Sequence, residues 1–384
     1  MKRAALLVTA LLGVPASGAL AADWTVKSLF SQELQVSDNA FLRTAPVGET
    51  YSSISTLMLD AVGRTPTMRF QLNADVSYLT YAGPGAMGTP NALGYGAKAR
   101  LEKTDRLTTY HLATSYRHQD ATSAQLAELG VVTIGGAIIT QTIEGGFEHQ
   151  LSSIDTIKWS TIGKSVEFTS PSGTPYTDVM NTATWTRRIS PITQLTAFLQ
   201  FERQAMDDAT HTEFMIWRAK SGLRTDLTRR LTLNANIGAA FIKTTLDAPP
   251  GPTVAESGSS AGLIGDLELI YKLKTGQISI FASRTIAPTI LGDILKSDIV
   301  GLAFRYDVNR LANWFGSTSF AQSAAPSGGN ASETFSANVG YGYRLTRELQ
   351  MQLSYRFLQR ESNAGTAKSN TILFRLTHDY TILP

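Results

Sequence analysis

Reactive side chains are sparse and scattered in this 384-residue chain. It has five histidines, His111, His118, His149, His211 and His378, and no cysteine. No two histidines stand at a metal-ligand spacing, and none has a Ser or Asp at a spacing that suggests a nucleophilic relay. A phosphate loop, a dinucleotide fingerprint and a calcium loop are all missing. What recurs instead is charge at alternate positions: Lys98, Arg100 and Glu102; Glu144 and Glu148; Arg218, Lys220 and Arg224; Asp266 and Glu268. Successive side chains of a β-strand point to opposite faces, so this spacing puts each set on one face. Charges gathered along a shared face attract or repel ions and solutes rather than break bonds. The expectation is therefore a conducting or binding surface, with no catalytic residue, no cofactor and no metal. A lipid-modifying enzyme is kept as an alternative, since strands distant in sequence can bring a histidine to a Ser or an acid.

The elements that must carry these rows are clearest between Ser332 and Arg360. Phe335, Ala337, Val339, Tyr341 and Tyr343 alternate with Ser336, Asn338, Gly340, Gly342 and Arg344; after a corner at 345–348, Leu349, Met351, Leu353, Tyr355 and Phe357 alternate with Gln350, Gln352, Ser354 and Arg356. Such strands exceed the roughly 5–6 residues of an ordinary sheet and match the roughly 9–11 needed to cross an outer membrane at a tilt. Tight corners recur near Asp105, Ser153, Pro191, Asp226, Lys274, Val308 and Thr346, with longer Gly, Pro and Ser-rich connections between them. The pattern predicts an all-β fold: a single transmembrane antiparallel up-and-down barrel of about 18 strands, with short periplasmic turns, longer outer loops and both ends in the periplasm. The alternation is weak in the first two strands, 24–36 and 50–62, whose place in the wall stays open. The connection 120–132 is expected to carry a short helix at 123–128. A β-helix, a propeller and a large soluble sandwich are the rival folds.

The first residues set the compartment. Lys2 and Arg3, an apolar run from Ala4 to Val14 and Ala19-Leu20-Ala21 read as a signal peptide over 1–21, leaving 22–384 as the barrel. Removing Lys2 and Arg3 takes the formal charge of +3 to about +1, so global charge gives no argument for nucleic acid. Mean hydropathy is −0.05, which suits a soluble protein as well as a barrel whose strands are half polar.

If the apolar row faces lipid, the polar row lines the pore. By alternation the inward set includes Lys98, Arg100, Arg117, Glu144, Glu148, Lys158, Arg188, Arg218, Lys220, Arg224, Asp266, Glu268, Arg305, Arg344, Arg356 and Arg375. Arg69, Lys164, Lys272, Asp75, Glu102 and Glu202 join it. Bases outnumber acids there, which favours anions. Arg203 and Arg284 fall on the apolar row near loop ends, within reach of lipopolysaccharide phosphates. Tyr78, Tyr110, Trp159, Trp185, Tyr271, Tyr306, Trp314 and Tyr380 share the apolar row and read as an interfacial girdle; Phe198 and Phe281 are the aromatics expected to face inward.

Gln32 to Leu42, with Ser37-Asp38-Asn39 at its centre, resembles the opening of a β-barrel porin family often encoded beside exopolysaccharide genes. The resemblance implies a barrel that assists exopolysaccharide export across the outer membrane of a Gram-negative bacterium, with a polysaccharide-export partner. Asp38 and Asn39 by themselves suit a turn after strand one. The chain ends at Pro384 rather than in an aromatic residue, so Tyr380 or Phe374 would serve in the assembly signal. Expected partners are outer-membrane lipid and lipopolysaccharide, the barrel assembly machinery, and polysaccharide with its export partner. A general diffusion porin and a structural or adhesive barrel, closed by inward folding of 120–132, are the alternatives to export.

Overall fold

The computed structural model describes residues 23–86, 91–122, 136–171, 173–208, 211–246, 258–288, 294–324 and 331–383. The signal-peptide residues and the helix expected at 123–128 lie outside them. The strands are β1 (Asp23–Ser37), β2 (Thr50–Arg64), β3 (Met68–Ala82), β4 (Ala92–Thr104), β5 (Thr108–Asp120), β6 (Ala137–Gln150), β7 (Asp155–Phe168), β8 (Tyr176–Ser190), β9 (Thr193–Met206), β10 (Glu213–Asp226), β11 (Leu231–Thr245), β12 (Gly258–Leu273), β13 (Gly276–Pro288), β14 (Ile294–Asp307), β15 (Ala312–Ala324), β16 (Ser332–Arg344), β17 (Leu349–Ser362) and β18 (Gly365–Leu383).

Each strand pairs antiparallel with its sequence neighbours, and β1 also pairs with β18, so the 18-stranded sheet closes on itself. Both weakly alternating strands are in the wall: β1 runs in register with β2 from Asp23↔Arg64 to Ser37↔Thr50. With about 14 residues per strand, 3.3 Å per residue and a tilt near 40°, the wall is roughly 35 Å tall.

Ser37-Asp38-Asn39 does more than turn the chain. The Asn370 backbone N–H donates to Asp38 Oδ1 at 2.7 Å and the Asn370 side-chain amide to Asp38 Oδ2 at 2.6 Å. Asn39 Nδ2 donates to the carbonyls of Lys368 and Arg43, at 2.9 and 2.7 Å. The motif thus ties the first strand to the last where the cylinder closes. Its continuation bends inward, and Phe41 and Leu42 are buried, Phe41 against the Tyr81 ring at 5.6 Å.

Two departures from the expected plan follow from the loop end of the barrel. The β17–β18 connection is a tight turn, Ser362 standing opposite Gly365, whose φ of +111° suits glycine. The seam between β12 and β13 is also short. It runs only from Leu273↔Gly276 to Gly265↔Arg284, so Gly258–Ile264 and Thr285–Pro288 have no ladder with each other. β12 stays paired with β11 along this stretch, and β13 with β14 as far as Pro288↔Ile294.

Candidate functional site

Register assigns the two faces of the wall. Leu199, Ile237, Leu263, Ile280, Leu353 and Ile372 are among the most exposed large apolar side chains, and all lie on one row. Of the girdle aromatics of the sequence reading, Tyr78, Tyr110, Trp159, Tyr271, Tyr306, Trp314 and Tyr380 are exposed on that same outward row, and Trp185 is half-buried. Polar side chains on it satisfy one another. Gln32 Nε2 donates to Ser53 Oγ at 2.8 Å and Gln32 Oε1 accepts from Ser55 Oγ at 2.6 Å; Thr161 Oγ1 donates to Asn181 Oδ1 at 2.8 Å. Internal pairing is what an apolar surrounding demands of a polar group.

By register, the sixteen charged residues of the sequence reading share the row opposite the exposed apolar one. Adjacent strands hand the row on: Gln71↔Arg100, Lys98↔Ser115, Glu148↔Lys158, Gln200↔Arg218, Asn236↔Asp266, Gln277↔Arg305, Asn338↔Arg356 and Glu33↔Arg375. Phe198 and Phe281 are inward too, with Lys220 Nζ 6.0 Å above the Phe198 ring.

Half of these cations are neutralised. Arg100 meets Glu102 at 2.8 Å, Arg117 meets Asp75 at 3.0 Å, Lys220 meets Asp266 at 3.5 Å and Arg305 meets Asp307 at 3.1 Å; Arg375 pairs with Glu33 and Arg218 with Glu202. Lys98, Lys158, Arg188, Arg224, Arg344 and Arg356 have no ion pair among the described residues. Lys158, Arg188, Arg224 and Arg344 stand within a few residues of the tight turns, so free positive charge rings that end of the interior. On the acidic side Glu268 accepts from Asn234 at 3.0 Å. Arg203 and Arg284, on the outward row near loop ends, each hold an acid: Arg203 holds Glu213 through two bonds of 3.0 and 2.7 Å, and Arg284 holds Asp298.

Toward the loop end the interior changes character. Ile138, Val166, Tyr176, Met206, Phe214, Ile216, Ala240, Ile242 and Ile264, one or two from each of β6 to β12, form a buried apolar cluster with Ala121 and Ile286. An inward row polar throughout is therefore not what the fold contains. The signal was in the sequence as runs apolar on both faces, Ile138-Ile139, Phe214-Met215-Ile216-Trp217, Phe241-Ile242 and Leu263-Ile264, which mark strands covered on both sides. Beneath the cluster lie the nearly enclosed Arg218 and Glu202, with side chains 11% and 10% exposed, and the half-buried Lys164, whose Nζ donates to Tyr176 OH at 3.1 Å.

Ile286 reaches the cluster by an unexpected route. Ile280, Ala282 and Arg284 of β13 face outward, and alternation would send Ile286 out as well, yet it is 5% exposed and packed on inward-facing Ile264. A Cβ on Gly262 of β12 would sit 2.6 Å from Ile286 Cδ1. The upper end of β13 has therefore slipped inside the upper end of β12, and the wall there is a lap joint. Arg218 Nη2 holds the inner flap by donating to the Ile286 carbonyl at 3.1 Å.

Histidines come closest to an acid at His111, whose Nε2 lies 3.2 Å from Glu144 Oε1. Its alignment does not make a hydrogen bond, and the imidazole is buried in the wall beside Gly146. His149 Nδ1 contacts Thr108 Oγ1 at 2.7 Å on another row. Among the described residues no three His, Asp or Glu side chains are grouped to hold a metal.

A closed antiparallel barrel of this strand number, apolar outside and charged within, is the architecture of the porins. Solved structures of that class superpose on nearly the whole chain. A BenF-like porin from Pseudomonas fluorescens Pf-5 matches with a TM-score of 0.56 at 10% identity, over 94% of this chain and 99% of its own. OccK2 (OpdF) of Pseudomonas aeruginosa gives 0.54 at 10%, with the same two coverages. The outer membrane protein opdK of Pseudomonas aeruginosa gives 0.51 at 11%, over 92% and 99%. At such identities the likeness is one of fold. No family model matches the chain. A comparison with curated proteins likewise returned no match.

Proposed function

We propose that the chain is an outer-membrane channel for hydrophilic solutes, with a preference for small anions. The observation that carries this reading is the set of inward cations that have no carboxylate partner among the described residues, Lys98, Lys158, Arg188, Arg224, Arg344 and Arg356. A water-filled passage with excess positive charge concentrates anions by Coulomb attraction. The apolar outer row and the 18-stranded closure support a place in the outer membrane, reached after removal of 1–21 and insertion by the barrel assembly machinery, with lipopolysaccharide packed around the loop end. The solved porins of the same fold support the channel class.

Export of exopolysaccharide is the sharper version, and it rests on the resemblance of residues 32–42 alone. The apolar cluster at the loop end favours small solutes over a hydrated polymer, because side chains of β6 to β12 are packed there out of contact with water. Purified barrel in a planar bilayer under a potassium chloride gradient tests the channel: the reversal potential is expected to show chloride preference. A silent or cation-selective barrel overturns it. Polymer released by a strain lacking the gene tests export separately, and unchanged release removes that version.

A further inference from the structure

The lap joint between β12 and β13 has a consequence for what leaves the barrel and where. In hydrocarbon, every backbone N–H and C=O must be bonded within the protein, so a wall spanning a membrane does not leave strand edges open without a reason. Here the edge of β12 is without a β13 partner from Ile264 upward. That edge lies within the apolar belt. Ala261 stands in register with Phe241, whose ring lies tilted against Trp217 with centroids 5.5 Å apart, and below that aromatic level Leu263 is 65% exposed on the outer face. The parted strands thus face the lipid layer, not only the rim.

On the outside, the step between the two strands opens into a groove of about 750 Å³, within the span of small-molecule sites. Leu263, Leu267, Val300 and Phe320 supply its apolar wall, and the mutually neutralised Arg284 and Asp298 its polar edge. On the inside, directly behind the step, sits the apolar cluster of Ile216, Ile242 and Ile264, covered by Ile286. Ile264 belongs both to this groove and to the buried cluster inside, where Ile286, on an end of strand that has no ladder to β12, packs in the same cluster. Among the described residues, the flap is attached on that side by the bond from Arg218 to the Ile286 carbonyl and by the packing of Ile286 itself.

We propose that this joint is a lateral door through which a small apolar molecule, a single-chain fatty acid or a compound of similar size and polarity, passes between the lumen and the membrane when the β13 flap swings away from β12. The route gives a use to the end of the apolar cluster that reaches the joint, Ile242, Ile264 and Ile286. It requires that the barrel sit in a membrane, and is independent of whether anions pass along the axis.

A disulfide across the joint tests it, since a Cβ at position 262 lies close enough to Ile286 for cross-linking. The double variant Gly262→Cys with Ile286→Cys is expressed in a Gram-negative host, and uptake of radiolabelled oleate is compared before and after oxidation, with chloride conductance of the purified barrel measured in parallel. Oxidation is expected to lower oleate uptake to that of cells lacking the barrel, with recovery on adding dithiothreitol and no change in conductance. Oleate uptake unaffected by a disulfide shown by mass spectrometry to have formed would overturn the door. So would a wild-type barrel that adds nothing to the host's own uptake. Ile286→Ala gives a second reading that needs no cross-link: it removes the covering side chain and is expected to raise oleate uptake, and equal or lower uptake by folded protein counts against the proposal. Loss of conductance selectivity with the oleate result intact would remove the axial channel reading and leave the door standing.

Discussion

The pairing of Glu202 with Arg218 permits a worked prediction, because the two charges are nearly enclosed and their alternatives are few. Their side chains are 10% and 11% exposed, and Arg218 also donates to the Ile286 carbonyl. Replacing Glu202 by Gln leaves a guanidinium with one neutral acceptor where it had a carboxylate. Breaking a buried pair from one side costs about 3–5 kcal/mol, and since glutamine still accepts one bond, the low end, about 3 kcal/mol, is expected. Arg218→Met strands the Glu202 carboxylate and is expected to cost about 3 kcal/mol as well. The double variant buries no lone charge; it loses the bond to Ile286 and some polar complementarity, together about 2 kcal/mol. The cycle should therefore be non-additive by roughly 4 kcal/mol, inside the range measured for enclosed charge pairs. Urea unfolding of the barrel in lipid vesicles, followed by tryptophan fluorescence, gives each free energy, with Trp217 on the neighbouring position of β10 as a local reporter. Arg305–Asp307, whose side chains are 60% and 45% exposed, is the internal control, and its loss should cost under about 1 kcal/mol. If Glu202→Gln costs no more than this control, or the cycle is additive, water reaches the pair freely and the enclosed loop-end interior described above is wrong.

Other expectations concern closure, selectivity and the final turn. Asp38→Ala removes two bonds to Asn370 at the β1–β18 seam and should cost about 1–2 kcal/mol, limited by the exposure of the site; thermal unfolding read by gel mobility should show the loss, and Asp38→Asn should recover part of it. Lys158→Glu with Arg188→Glu reverses two free charges near the tight turns. After screening by salt the change felt by a passing anion is about 1 kcal/mol, or roughly five-fold in the chloride-to-potassium permeability ratio; an unchanged ratio would detach selectivity from these residues. Gly365→Ala places a Cβ at φ +111° and should destabilise the β17–β18 hairpin by about 1 kcal/mol or more, seen as faster amide exchange confined to that hairpin.

How far the sequence discloses this protein depends on where along a strand one looks. In β16 and β17 one face meets an apolar surrounding and the other water, so period two is clean and even the corner at 345–348 is legible. β1 and β2 are blurred for a physical reason: Gln32, Ser53 and Ser55 sit outward and satisfy one another, while Leu29, Ile54 and Met58 sit inward. Which cations face the lumen follows from parity, because parity is a property of one strand. Which of them are neutralised does not, because Glu33 and Arg375 lie 342 residues apart and meet only when the cylinder closes. The lap joint shows the same limit from the other side. Alternation marks strands over 263–273 and 277–284, within two residues of where the β12–β13 ladder stops at Gly265↔Arg284. Beyond that point the pattern fails because its premise fails: Ile264 and Ile286 no longer separate lipid from water, but pack on each other across an overlap of two strands. A break in alternation inside a long strand is thus a physical statement, that the wall has stopped being one layer thick. In this barrel it coincides with the place where Ile264 belongs both to the outer groove and to the buried cluster inside.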